Sequence, residues 1–504
     1  MSLRCRMSLL LQTLHQTALV SPESIALQGA HQVVSYGELD QLVAEAAYHL
    51  NAHDIRALGL LADNGIAWAQ ADLSALAANI PLVPLPLFFS PQQLLHVMHD
   101  AGLDGLLTDQ PQQLEALLQG FGLRFHHAGE LCGLHLIRLH GVAAKDLPPG
   151  TAKITYTSGT TGEPKGVCLN LAQMEAVAAA LRDASEAQVA DLHLSLTPLS
   201  TLLENIGGIY TPLLAGASTC LLPLAQIGLR GASGLDVARM LQVLHECEAT
   251  SAILAPQMLQ ALVAAGEAGV TMPASLRFVA VGGAPVSPRL LQRAQQLGIP
   301  VFEGYGLSEC ASVVSLNMPQ ANRPGSVGRP LPHVAVSFSE QGEILVSGSA
   351  FLGYLGQGGA VQPWPTGDLG HLDADGFLHL TGRRKSVFIT SFGRNVAPEW
   401  VERELTLHPA IAQVAVFGEG KPFNVAVVAA RPGFSQTDIE AAIQQVNRML
   451  PDYARVSNWL AAQAPFTPSN QQLTANGRLK REAIRTFYAD ALESLYQEET
   501  HDVF

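Results

Sequence analysis

Apolar and polar positions change period repeatedly along the first 150 residues. From Tyr36 to Leu50 the apolar residues recur at helical spacing, which predicts a helix burying one face. Residues 57–62 are short and apolar and predict a buried strand; residues 81–87 predict another. Ser90 and Pro91 then read as an N-cap and a first helical position, so 92–100 is expected to be helical. Strand and helix alternating in this way predict the α/β class, with parallel or mixed sheets covered by helices.

The pattern changes from Gly342. Residues 342–348 and 375–382 have the short alternating form of antiparallel strands. Beyond Arg383, Arg384 and Lys385 comes a smaller unit of strands (387–391, 413–420, 424–430) and helices (398–408, 436–450). This α+β unit is long enough to fold by itself. The chain is therefore expected to divide into a large N-terminal domain at 1–381 and a small mobile one at 382–504, with a hinge near Lys385. Its 504 residues exceed what one core normally serves.

Residues 205–229 carry no charged side chain and are long enough to cross a bilayer. Pro212, Pro223 and the glycines at 207, 208, 216 and 228 interrupt them, so buried strands and turns are expected instead of a continuous helix. That leaves at most a peripheral membrane contact. The net charge of −14 removes nucleic acid as a partner, because no basic patch stands against it. Cys5, Cys132, Cys168, Cys220, Cys247 and Cys310 show no paired or metal-ligand spacing and read as reduced thiols. The first residues lack the features of a signal peptide, so a cytoplasmic setting is expected.

Candidate chemistry begins within 154–168. A β-branched apolar run ends in Thr157, Ser158, Gly159, Thr160, Thr161 and Gly162, and is closed by Lys165 and Gly166. Backbone N–H groups, several hydroxyls and one ammonium aimed at one small volume suit a polyphosphate. The spacing is not that of a Walker A loop, in which the lysine is followed by Ser or Thr. On composition alone such a stretch also fits an ordinary surface turn.

The stretch resembles the phosphate loop of the adenylate-forming superfamily, which includes acyl-CoA synthetases, non-ribosomal adenylation domains and luciferases. Five further stretches resemble that superfamily in the same order, from about residue 20 to 485, most like long-chain acyl-CoA synthetases. Gly283, Ala284 and Pro285 resemble the segment lying along adenine, where glycine lets backbone approach a flat ring. Gly304, Tyr305, Gly306, Ser308 and Glu309 resemble the next signature. The resemblance implies that the aromatic stacks on adenine, the hydroxyl reaches the α-phosphate, and Glu309 holds Mg²⁺. A hard ion taking few protein carboxylates and several phosphate oxygens fits that role. Asp368 resembles the carboxylate that accepts the ribose hydroxyls, and Arg383 the arginine near ribose and α-phosphate. Lys385 falls at the hinge about which the small domain turns in relatives. Residues 390–399 resemble the loop presented after that turn.

The chain departs from the pattern twice. The family's last motif ends in a lysine that bridges the substrate carboxylate and the phosphate; here Arg478 occupies that position and Lys480 follows two residues on. Arginine keeps the charge but not the shape. Three readings stay open: Arg478 serves, Lys480 serves after a local shift, or adenylation is impaired. Second, Thr201 stands where acyl-CoA synthetases usually carry a gating histidine. The aspartate that amino-acid-activating relatives keep for the substrate ammonium falls near Leu203, so an α-amino acid is disfavoured. Thr201, Leu203, Glu204, Gly207 and Gly208 are the candidate substrate pocket, and core packing is an equally good account of them.

The resemblance thus implies an enzyme that uses ATP to activate a fatty or other apolar carboxylic acid and then passes the acyl group to a thiol. Lys165, Glu309 and Arg478 or Lys480 form the expected catalytic set. ATP and Mg²⁺ are the expected cofactors and CoA the expected co-substrate. Rivals are transfer to a carrier protein or an amine in trans, and a catalytically impaired acyl- or nucleotide-binding homologue.

Overall fold

The computed structural model describes residues 8–158, 164–230, 234–284, 286–391, 394–474 and 477–496. Two large sheets dominate. One has nine strands, and its centre (Ile25–Gln28, Ser218–Cys220, Leu192–Leu194, Ser251–Leu254, Phe278–Val281 and Val301–Tyr305) is wholly parallel. The other has eight strands and is mixed. Leu58–Leu61 lies parallel to Leu82–Pro84 and Gly105–Thr108, and the hairpin of Thr151–Ser158 with Pro164–Asn170 sits beside them. Helices pack between and outside these sheets, as the alternating pattern predicted.

Local signals behaved as chemistry dictates. Ser90 caps the helix Pro91–Asp100: its hydroxyl accepts from Gln93 N at 3.2 Å, and Gln93 Oε1 accepts from Ser90 N at 2.9 Å. A four-stranded antiparallel sheet (Ala335–Phe338, Glu343–Ser347, Trp364–Leu372, Leu378–Arg383) follows the shift at Gly342. Lys385 lies two residues beyond its last strand. The remaining unit has a three-stranded sheet (Ile411–Phe417, Asn424–Ala430, Val456–Ala461) and the helices Pro398–Thr406 and Gln436–Asn447. No helix among the described residues is long and apolar enough to cross a membrane.

The segment 205–229 is buried as expected, but its first half is helical and not a set of strands and turns. Leu202–Asn205 runs into a π-turn, Ile206–Tyr210, and then into Thr211–Ala215. The signals misread were Pro212 and Gly216. Pro212 sits in the first turn of Thr211–Ala215, where its missing N–H costs little, and Gly216, at φ +69°, ends that helix in the left-handed conformation. Thr211 N–H bonds to the Ile206 carbonyl five residues back, which is the π-type spacing.

A buried ionic cluster ties this segment to the second sheet. Lys153, 0% exposed, donates to Asp72 Oδ1 at 2.6 Å, to Tyr210 Oη at 2.8 Å and to Asn205 Oδ1. Asn205 Nδ2 and Tyr210 Oη in turn donate to Asp72 Oδ2 at 2.8 and 2.7 Å. Burial pushes the lysine pKa down and Asp72 pushes it back up. Replacing Lys153 by Met is expected to destabilise the fold by roughly 3–5 kcal/mol, since Asp72 then keeps a buried charge without its partner. Denaturant unfolding checks this, and a loss below about 1 kcal/mol would remove the cluster from the stability account.

Candidate active site

The carboxyl ends of the parallel strands and the hairpin of Thr151–Ser158 with Pro164–Asn170 open into one cavity of about 3690 Å³, which residues of the small unit also line. Ligand sites of open α/β sheets gather at such strand ends. Thr157 and Lys165 stand opposite each other across the hairpin. Helix Pro91–Asp100 supports that hairpin: His96 Nε2 meets the Pro164 carbonyl at 3.0 Å, and Tyr156 Oη donates to Asp100 Oδ2 at 2.7 Å. Gly159, Thr160, Thr161, Gly162 and Pro285 lie outside the described residues, as does the side chain of Ser158.

Strand Phe278–Val281 leads into Gly283 and Ala284, and Val301–Tyr305 leads into Gly306, Ser308 and Glu309; all of these loop residues line the cavity. Gly306 must be glycine, because a Cβ there would lie 1.6 Å from the Ser312 carbonyl oxygen. Asp368 and Arg383 are direct cross-strand partners, with Arg383 Nε donating to Asp368 Oδ1 at 2.9 Å. Tyr305 Oη donates to Asp368 Oδ2 at 2.8 Å, so the phenol and the guanidinium orient one carboxylate.

Arg478 reaches across from the small unit. Its Nη2 donates to the Gly283 carbonyl at 2.9 Å. Part of its surface stays open to the cavity, yet loss of bulk water and the nearby Arg383 hold its pKa below the usual arginine range, against the pull of Asp368 and Glu309. Lys480 lines the same cavity, and its own N–H bonds to the Gln472 carbonyl at 2.8 Å. Of the two cations, Arg478 is the one brought onto the loop after Val281. Ser287 Oγ to Glu404 Oε1 at 3.3 Å and Gln260 Nε2 to the Thr406 carbonyl at 2.8 Å also join the two units.

Glu309 lies in the same cleft, with its Oε1 accepting from Tyr354 Oη at 2.6 Å. No group of three or more His, Cys, Asp or Glu side chains suited to a metal occurs among the described residues. One carboxylate beside the candidate phosphate loop fits Mg²⁺, which takes most of its oxygen ligands from phosphates and water.

Thr201, Leu203 and Gly207 line the cavity, as expected. Glu204 and Gly208 do not. Glu204 is 0% exposed and turns away, accepting from Thr197 Oγ1 at 2.5 Å and meeting His193 Nε2 at 3.1 Å. Gly208 packs against the same groups: a Cβ would lie 2.5 Å from Glu204 Oε1. The helical winding of this segment puts residues 204 and 208, one turn apart, on its inner face. Sequence reading passed over Tyr354 and Glu303. Glu303 directly precedes Gly304 in the chain, whereas Tyr354 is brought to the site by strand pairing.

The chain as a whole has similarity to known proteins. Residues 14–355 match the model of the AMP-binding enzyme family, and residues 385–500 match the AMP-binding enzyme C-terminal domain. The chain belongs to the AMP-binding enzyme family. It is 32% identical over 254 residues, 44% of its length, to the long-chain-fatty-acid–CoA ligase FadD15 of Mycobacterium bovis, and that match spans 42% of the relative. It is 29% identical over 433 residues to the 2-succinylbenzoate–CoA ligase of Bacillus subtilis, covering 80% of this chain and 84% of the relative. The crystal structure of the anthranilate CoA ligase AuaEII in complex with anthranoyl-AMP shares the fold. Its TM-score is 0.80 at 19% identity, over 96% of this chain and 98% of that one.

Glu303 supplies a measurable electrostatic signature. It is buried beneath the loop that Arg478 touches, and its Oε1 accepts from Val286 N at 3.1 Å. Burial pushes its carboxyl up to about 8, with the Val286 N–H and Arg403 opposing. The folded state therefore holds a proton that the unfolded chain releases near its ordinary value of 4.5. Stability from this group is complete below that value and is lost as pH rises towards 8, by at most ~1.4 kcal/mol per pH unit. Unfolding free energy measured from pH 5 to 8 should fall less steeply for Glu303→Gln than for the wild type; parallel curves would refute the shift.

Proposed function

We propose that this chain activates a carboxylic acid with ATP, forming an acyl-adenylate and pyrophosphate, and then transfers the acyl group to a thiol, that of CoA. The observation that carries the reading is the convergence in one cleft of the Thr157–Lys165 hairpin, Glu309, the Asp368–Arg383 pair and Arg478. Membership of the AMP-binding enzyme family and CoA ligases among the relatives support it.

In this reading a carboxylate oxygen attacks the α-phosphorus while the bond to the bridging oxygen breaks and pyrophosphate departs. The protein positions the two reactants and neutralises spreading negative charge; it forms no covalent bond itself. Thr157 and Lys165 receive the departing pyrophosphate. Asp368 accepts the ribose hydroxyls. Arg478 takes the part of the family's terminal lysine, since its guanidinium already reaches the loop at Gly283. Glu309 would hold Mg²⁺, which when bound would supply further neutralisation of phosphate charge. The thiol sulfur then attacks the acyl carbon and AMP leaves. We assign that second step to a turn of the small unit about Lys385, which brings residues 390–399 to the cleft.

An apolar acid suits the cavity best. Past Leu203 and Gly207 it continues along Ile253 and Ala280 to Ser251 and Phe278, at the amino ends of their strands. Leu203 offers no counter-charge to an α-ammonium. Fatty and aryl acids both fit this description.

Pyrophosphate release from Mg·ATP, measured without thiol across aliphatic acids of graded length, aryl acids and amino acids, should occur with an apolar class and not with amino acids. Silence across the panel with ATP still bound would favour an impaired, binding-only homologue. In the active case Lys165→Ala should slow release roughly 100-fold, and Arg478→Ala should cost far more than Lys480→Ala. The opposite ranking would return the terminal role to Lys480.

A further inference from the structure

Tyr354 belongs to none of the motifs above, yet it touches two residues assigned to the reaction. Its phenol donates to Glu309 Oε1 at 2.6 Å. The Lys165 ammonium lies 5.6 Å from the centre of its ring, within the range of a cation–π contact. The backbone around it is tied to the same two elements. Phe351 N–H donates to the Glu309 carbonyl at 2.8 Å, and Leu355 N–H to the Gly166 carbonyl at 2.8 Å. Gly353–Tyr354 is itself a short strand on the edge of the eight-stranded sheet, with Tyr354 opposite Val167.

The ring has little freedom. Phe351 and Trp364 meet it edge-on, at centroid distances of 4.9 and 6.0 Å. Gly353 has φ +140°, and a Cβ there would stand 2.9 Å from the Gly358 carbonyl oxygen, so the turn that delivers Tyr354 requires glycine.

We propose that Tyr354 is a positioning residue for the divalent ion and the phosphate-loop lysine. By holding one oxygen of Glu309, its hydroxyl fixes the orientation in which that carboxylate would be presented to the ion. Its ring face holds Lys165 on the same side of the cleft. Partners that orient a metal-binding side chain in this way typically change metal affinity when removed, and they act through the ligand and not on the reacting atoms. The inference rests on the ATP-dependent reaction proposed above.

Tyr354→Phe removes the hydroxyl and keeps the ring, its packing and its face towards Lys165. The test uses the full chain, Mn²⁺ as the metal probe, and a non-hydrolysable ATP analogue titrated by calorimetry with and without the metal. The variant should bind the Mn²⁺ complex roughly 10-fold more weakly, with metal-free binding and the thermal midpoint unchanged. In a Glu309→Gln background the same change should have no further effect. Unaltered affinity for the Mn²⁺ complex would overturn the proposal. So would equal losses with and without metal accompanied by a lower thermal midpoint, which would mark a merely structural role. The binding comparison needs no turnover. Wild-type protein that binds the Mn²⁺ complex but releases no pyrophosphate would defeat the proposed reaction, while the variant would still decide the role of Tyr354.

Discussion

A single buried ammonium constrains the centre of the large unit. Lys153 has no access to solvent and must find its partners within the protein. It finds them on separate elements: Asp72 on helix Ile66–Ala78, and Asn205 and Tyr210 at either end of the π-turn. Asn205 and Tyr210 are five residues apart, a spacing that the wider π-turn brings towards one face. Satisfying this charge thus fixes the winding of the helix that carries Leu203 and Gly207 at the cavity wall. It also fixes the strand Thr151–Ser158, which continues into the phosphate-loop hairpin.

That link gives physical content to the proximity of two proposed subsites. Leu203 and Gly207 line the cavity from the outer side of the same helical segment whose inner side, through Glu204, Asn205 and Tyr210, meets His193 and Lys153. Thr157 stands four residues along the strand from Lys153. The cavity wall at Leu203 and Gly207 and the strand leading to Thr157 therefore share one buried polar cluster.

Strand pairing performs the equivalent service on the nucleotide side. Asp368 and Arg383 are fifteen residues apart in the chain but face each other across two antiparallel strands, and Tyr305 from the other sheet completes their hydrogen bonding. The edge strand Gly353–Tyr354 connects Glu309 to the strand bearing Lys165. Arg478 then bridges from the small unit to Gly283. Groups of opposite sign are thus spaced around a common volume, an arrangement suited to a charged and extended ligand.

Much of this was legible in the chain. The capping of Pro91–Asp100, the alternation of helix and strand, and the change of pattern at Gly342 are local properties, and short-range chemistry dictates them. The ordered motifs around Lys165, Glu309, Asp368 and Arg383 announced the family for the same reason: each is a contiguous run whose residue types answer to one ligand. What only the tertiary structure decided were matters of facing and partnership. Pro212 and Gly216 read as interruptions, whereas in the fold they begin and end a short helix, and Gly207 and Gly208 lie within the π-turn. Glu204 and Gly208 could be assigned to the pocket until the helix put them on its inner face. Tyr354 had no signal at all, because its role depends on a two-residue edge strand meeting a hairpin nearly two hundred residues earlier. Sequence determines which groups can do chemistry and where local elements start; burial of charge and the register of distant strands determine which of those groups meet.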